Sequence, residues 1–395
     1  METILTVLDA RKYKVFGGAE LATKHITNIL AKNGFKIIIA ACPLTVTPNN
    51  PNIEVVRIPK LCGSSKLHLW FNILNTKVKN TLSSLINKAD IVYIPRLAYP
   101  VIPLAKKQGK KVILHLHDYQ PISFTASMYP EDGTPSALTD AKKTFKYEVL
   151  EHKSYAKALA STALTPLNYL ARKWTAQADK IICVSRRQAE IIARNMPEVR
   201  NKIISVYNPL PPLTAEKTKY RKLTFTYTGG KSYVKGYKIA LSAASKTAKK
   251  NVDAKFIFVG TWNGQKHSTS KIEFRSRMPY QKIIELYSKS TSIIIPSIWE
   301  EPLPYTVLEA MAVGTIPIAS NIGGIPEIVK ETFAEKMLFK PKDADSLADR
   351  IEEAASLSRE DLADIGSKLR TAVYGKFGEN VVTPEIIKAF KDSHL

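Results

Sequence analysis

Cysteine is scarce in this chain. There are three, Cys42, Cys62 and Cys183, spaced too widely for a metal knuckle or a disulfide framework. They are expected to be reduced, buried side chains. No apolar run reaches the roughly eighteen residues of a membrane-spanning helix. The amino terminus, METILTVLDARKY, turns polar after Leu8 and lacks the basic region and long apolar stretch of a secretion signal. The expected setting is therefore cytoplasmic, with any membrane contact peripheral and on the inner face. Acidic residues are in deficit, leaving a formal net charge of +23. That excess bears on partners or solubility, not on fold. It is dispersed over pairs such as Lys106–Lys107, Lys142–Lys143 and Lys249–Lys250, with no long Lys/Arg block, finger or glycine-rich basic tail. A specific nucleic-acid role is not expected. An anionic membrane surface, phosphorylated substrates and a generally basic surface remain open.

What is present is an alternation of strands and helices. A chain of 395 residues, 45% hydrophobic, supports two domains with sizeable cores. Ile4–Leu8 reads as a strand. It is followed by a polar loop, by Gly17-Gly18, and by a helix whose Leu21, Ala22, His25, Ile26, Ile29 and Leu30 recur at three and four residues. Strands are expected at 35–40, 54–58, 91–94, 112–115 and 180–184. An amphipathic helix over 70–86, with Trp70 and Phe71 near one end, packs on its own domain or lies on a membrane. Residues 121–140, with Pro121, Pro130, Gly133 and Pro135, read as a long, mobile loop before a helix over 142–159. Pro209, Pro211 and Pro212 mark a boundary near 209–220. Beyond it the alternation resumes, with strands at 223–227, 255–259, 291–295, 316–319 and 336–339. The expected fold class is α/β, two Rossmann-like domains facing a central cleft. Open sheets of this kind bind ligands at the carboxyl ends of their strands.

Residues with chemistry cluster in a few blocks. The strongest is WEEPLPYTVLEAMAVGTIPIASNIGGIPEIV, Trp299 to Val329, with Glu301 and Glu309 eight residues apart and a Gly323-Gly324 turn. A carboxylate near a helix start is stabilised by free backbone donors and can bind hydroxyls through charge-assisted bonds. A second block is Thr228-Gly229-Gly230-Lys231 with Lys235-Gly236, and a third is His115-Leu116-His117-Asp118-Tyr119 at a strand end. Either histidine can instead face the core. They lack a third and fourth ligand, so no metal is expected.

The Trp299–Val329 block resembles the retaining GT-B glycosyltransferases of the family 4 type, the glycosyl transferases group 1, a group that includes sucrose and trehalose synthases. The resemblance implies that Glu301 touches the donor sugar and Glu309 the nucleotide ribose. Ala310, Met311, Ala312, Gly314, Pro317 and Glu327 match the same block. Gly17 and Gly18 match a glycine loop near the donor phosphates, where the backbone approaches closely. Lys235 matches a lysine on the diphosphate. His117, before Asp118, matches the sugar-contacting histidine. Ser185 matches the serine after the last main strand of the first domain, and Asn208 the interdomain asparagine. The resemblance also implies domains at 1–207 and 208–377, and a segment 378–395 that crosses back onto the first.

Two positions depart from the pattern. The usual arginine is Gly230, which removes two oriented donors, with Lys231 as the neighbouring cation. Proline at 304 lacks an N–H, leaving Tyr305 and Thr306 as backbone donors. The implied reaction is retaining transfer from a nucleoside diphosphate sugar to an acceptor hydroxyl, on a glycan, a polysaccharide precursor or a lipid-linked acceptor, with no further cofactor. A non-catalytic sugar-nucleotide or polyanion binder, and a GT-B sugar-nucleotide epimerase, are the alternatives.

Overall fold

The computed structural model describes residues 1–8, 17–42, 50–62, 65–133, 136–213, 222–250, 253–262 and 269–391. Seven parallel strands build the first sheet: β1 Thr3–Leu8, β2 Lys36–Ala41, β3 Ile53–Arg57, β4 Ile91–Ile94, β5 Lys111–Leu116, β6 Lys180–Cys183 and β7 Ile203–Ser205, in the order β3-β2-β1-β4-β5-β6-β7. Six parallel strands build the second: β8 Leu223–Tyr227, β9 Ala254–Gly260, β10 Ile272–Ser276, β11 Ser292–Ile295, β12 Ile316–Ser320 and β13 Leu338–Phe339, in the order β10-β9-β8-β11-β12-β13.

The apolar runs behave as parallel strands covered on both faces. In β1, Leu5 and Val7 enter one core while Ile4 enters the core on the opposite face, following the two-residue alternation of a strand. The second face is completed by the helix Glu379–Lys391, whose Val382, Ile386, Ala389 and Phe390 pack with Ile26, Ile29, Phe35 and Tyr93. The carboxyl-terminal segment thus returns to the first domain. Its helix is preceded by the continuous helix Arg359–Phe377, which runs through Gly375, and the break between the two falls at Gly378. Part of the proline-rich boundary, 214–220, lies outside the described residues.

Several expectations need correction. The expected helix over 70–86 is two helices, Lys66–Leu74 and Thr76–Asn87, divided at Asn75, whose side chain accepts the Lys77 N–H. Trp70 does not face a membrane: it is buried, donates Nε1–H to the Leu97 carbonyl at 2.8 Å and packs edge-on against Trp174. Its neighbour Phe71 is exposed. The stretch after His117 is a packed loop. Tyr119, Ile122, Phe124 and Met128 are buried, and Asp140 accepts the Phe124 N–H at 3.1 Å. Residues 134 and 135 lie outside the described residues. The helix expected over 142–159 is a hairpin, Ala137–His152 and Tyr155–Ala163, turned at Lys153 in the left-handed conformation and restarted by the Ser154 cap. The strand expected at 336–339 shrinks to Leu338–Phe339, because Phe333–Lys336 is a helical turn. Cys42 and Cys62 are joined in a disulfide, with Cα atoms 5.1 Å apart, and only Cys183 is a free, buried thiol. Sequence spacing missed the pair because the end of β2 and the turn after Pro59 meet only in the folded chain.

Candidate active site

Each sheet reverses its winding once, beside β1 and β4 in the first domain and beside β8 and β11 in the second. Such switch points open a crevice at the strands' carboxyl ends, and here the two crevices share one cavity of about 780 Å³. Ten of the residues singled out from the sequence as donor-binding or catalytic line it: Gly17, Gly18, His117, Gly230, Lys231, Lys235, Glu301, Tyr305, Thr306 and Glu309. They arrive from the segments after β1, β5, β8 and β11.

On the second-domain wall, the segment after β11 presents two buried carboxylates in sequence. Glu301 Oε1 accepts hydrogen bonds from Lys235 Nζ and Ser297 Oγ, both at 2.6 Å. Glu300 faces the other domain and is held by Arg187, at 2.7 and 3.2 Å. The Gly323-Gly324 turn packs directly against this segment. A Cβ on Gly323, whose φ is +59°, would lie 2.2 Å from the Glu301 carbonyl oxygen. The turn's N–H groups bond Glu300 Oε2 and the Glu301 carbonyl. The glycines of the sequence block are therefore there to let the turn close over the glutamates.

Glu309 sits in the helix Tyr305–Ala312, buried at the cavity wall, with the Tyr280 hydroxyl donating to Oε1 at 2.8 Å. Burial, opposed only by that bond, raises its carboxyl to about 7. Pro304 caps the same helix, and the N–H groups of Tyr305 and Thr306 head it. The Tyr305 side chain is committed elsewhere: its hydroxyl donates to the Pro209 carbonyl at 2.9 Å, and its ring stands 3.3 Å from where a Cβ on Gly18 would be. Gly230 has a φ of +62°, a left-handed conformation in which a side-chain-bearing residue such as arginine would be strained.

On the first-domain wall, His115 is the internal histidine. Its Nδ1 bonds the Tyr93 hydroxyl at 2.8 Å, and burial lowers it to about 3. His117 packs against it with ring centroids 4.3 Å apart and the planes tilted by 34°, and lines the cavity. Burial first, then the neighbouring His115 and Arg96, hold His117 well below the ordinary histidine value, so the ring is neutral at physiological pH. Its Nδ1 lies 3.5 Å from Asn208 Nδ2, and its Nε2 has no hydrogen-bond partner among the described residues. Ser185 is a cap, accepting the Gln188 N–H at 3.2 Å.

Sequence reasoning missed three participants. Tyr280 gives Glu309 its hydrogen bond. Arg277 is a further cation on the cavity wall. Glu151, at the end of a first-domain helix, accepts from the Tyr233 N–H at 2.7 Å and Ser232 Oγ at 3.2 Å across the cleft. Nothing local in the sequence signals these, because each depends on a segment distant in the chain. Among the described residues no group of three or more His, Cys, Asp or Glu is placed to hold a metal ion.

Comparison with known proteins agrees with this geometry. Residues 16–212 match the family model Glycosyltransferase Family 4, and residues 214–371 match Glycosyl transferases group 1. Spore coat protein SA of Bacillus subtilis is 26% identical over 244 residues, 54% of this chain and 64% of that protein. The uncharacterized glycosyltransferase MJ1607 of Methanocaldococcus jannaschii is 26% identical over 262 residues, 58% of this chain and again 64% of the relative. The chain thus spans just under two thirds of the length of these curated relatives. Sucrose-phosphate synthase from Thermosynechococcus elongatus has the same fold, with a TM-score of 0.72 at 14% identity, over 99% of this chain and 98% of that one. Anabaena HepE in complex with UDP-glucose superimposes with a TM-score of 0.66 at 14% identity, over 99% of both chains. With two Rossmann-like domains, a returning carboxyl-terminal helix and both family models matched along its length, the chain belongs to the GT-B glycosyltransferases of the family 4, group 1 type.

Proposed function

We propose that the protein transfers a glycosyl group from a nucleoside diphosphate sugar to an acceptor hydroxyl, with retention at the anomeric carbon. The observation that carries this is the convergence on one cavity of two carboxylates, a neutral histidine, a lysine and two glycine loops from opposing switch points. A uridine diphosphate sugar is the first donor to test, because Anabaena HepE, which shares the fold, binds UDP-glucose. The acceptor is a glycan or a lipid-linked precursor.

The chemical difficulty is departure of the diphosphate while the sugar becomes oxocarbenium-like. Lys235 and the N–H groups of Tyr305 and Thr306 stabilise the charge that grows on the phosphates. Lys231 and Arg277 add positive potential along the same wall. Glu309 accepts from the ribose hydroxyls, and Glu301 from the sugar. His117, neutral and with Nε2 unengaged, hydrogen-bonds a sugar hydroxyl without placing positive charge beside the cationic sugar. The acceptor hydroxyl enters on the leaving-group side, and the departing phosphate takes its proton. Closure between the two domains keeps water, the competing nucleophile, out.

The test is a calorimetric screen of nucleoside diphosphate sugars, followed by transfer assays with the best donor and NMR of the product's anomeric configuration. His117→Ala and Glu301→Ala are each expected to lower turnover by about a hundredfold while folded yield holds. Near-normal transfer by both folded variants defeats these roles. Donor binding with no transfer to any acceptor favours the non-catalytic alternative, which Gly230 and Pro304 motivate.

A further inference from the structure

Exposed apolar side chains are unevenly spread over the molecule. Among the described residues nine large hydrophobic side chains are exposed, and five of them, Leu138, Tyr155, Leu159, Leu164 and Tyr169, fall within 138–169. Tyr155 and Leu159 are 70% and 65% exposed. On the helix Tyr155–Ala163, Tyr155, Leu159 and Ala163 follow one another at four residues with Ala156 and Ala160 beside them, and all five are exposed. Ala158 is that helix's single buried residue. A helix on a globular domain ordinarily turns its apolar stripe toward the core. Here the stripe faces out.

The charge around the stripe has one sign. Residues 136–175 contain seven Lys or Arg and three carboxylates. All three carboxylates are turned away from the outer surface. Asp140 and Glu148 are buried, the first accepting the Phe124 N–H and the second bonded by Ser161 and Lys157. Glu151 reaches across the cleft to the Tyr233 N–H. Lys142, Lys146, Lys153 and Lys173 are exposed.

We propose that this helical hairpin, with the turn that follows it, is a reversible docking surface for an anionic lipid bilayer. An exposed apolar stripe with exposed lysines on the same hairpin and on the helix after it suits a headgroup plane: the stripe enters the acyl boundary while the cations meet lipid phosphates. The hairpin also touches the cleft, since Glu151 lines its cavity. A bilayer held there lies beside the cavity mouth, so an acceptor carried on a lipid reaches the site without leaving its surface. The surface replaces the one expected around Trp70, which is buried. It is independent of the donor chemistry proposed above.

The test is flotation of the full chain with phosphatidylcholine vesicles, with and without phosphatidylglycerol, at low and high salt. Binding is expected with phosphatidylglycerol at low salt and is weakened by salt. The double variant Tyr155→Glu, Leu159→Glu is expected to lower the vesicle partition coefficient at least about tenfold, with an unchanged thermal melt and unchanged donor affinity. Phe71→Glu, Leu74→Glu, on the other exposed apolar spot, is expected to bind as the parent does. The proposal is overturned if the parent chain does not bind, or if the hairpin variant binds equally well. It is also overturned if sedimentation shows a dimer that the hairpin variant dissolves, since the stripe would then be covered by a second copy. Loss of transfer activity with intact vesicle binding would count against the proposed reaction and leave this surface standing.

Discussion

Glu301 and Glu309 are both buried, but their partners differ. Glu301 has a cation, Lys235, and Glu309 a neutral phenol, Tyr280. The raised carboxyl of Glu309 has a consequence for pH. The folded group keeps its proton to about 7, whereas an ordinary glutamate loses it near 4.5, so the fold loses stability as pH climbs through that window. If Glu309 takes its proposed contact with the ribose, nucleoside binding runs the other way, because hydroxyls bond an ionised carboxylate more strongly. Nucleoside affinity is expected to rise as pH passes through about 7, and Glu309→Gln to flatten that rise; calorimetry at several pH values checks both. Lys235→Ala is expected to weaken nucleoside diphosphate binding by about 1–3 kcal/mol while leaving nucleoside binding nearly unchanged. Equal losses for both ligands would move the lysine away from the phosphates. His117 presents no titration of its own near neutrality, since burial holds it neutral.

At the scale of elements, the loop after β8 is shaped by a contact with the end of β11. Gly236 has a φ of +73°, and a Cβ there would lie 1.8 Å from the Pro296 carbonyl oxygen. That approach sets where Lys235 leaves the loop. Gly236→Ala is expected to cost roughly 2–4 kcal/mol of stability in denaturant unfolding, the sum of left-handed strain and a backbone clash that no rotamer relieves. A melt within experimental scatter of the parent would contradict the packing. The amphipathic helices were harder to delimit than the strands. Asn75 and Ser154 restart helices inside runs whose hydrophobic period continues, because a cap bond outweighs the local pattern there.

Across the whole molecule, the domains are clasped by polar contacts beside the cleft. Glu327, from the second domain, accepts the N–H groups of Arg186 and Arg187 at 3.0 and 2.7 Å, and the Tyr207 hydroxyl at 3.0 Å. A carboxylate at the start of the helix Arg186–Asn195 is well placed for its unpaired donors. Arg187 returns the contact through Glu300. Glu327→Ala is expected to widen the opening between domains, seen as a larger radius of gyration in solution scattering, and to raise the donor KM more than it lowers kcat. An unchanged radius and KM would show that the clasp does not govern closure.

The sequence by itself determined the α/β plan, because strands covered on both faces are apolar runs whatever surrounds them. It also marked two blocks that meet at the cleft, the glycines and Lys235 after β8 and the glutamates Glu301 and Glu309 after β11, each within its own strand–turn–helix. Only the tertiary structure decided that Trp70 is buried, that Cys42 meets Cys62, that Tyr280 serves Glu309 and that Glu151 crosses the cleft. Local pattern encodes which face of an element is apolar. Which distant element covers that face, and which side chains meet across a cleft, depends on how the sheets and helices pack together.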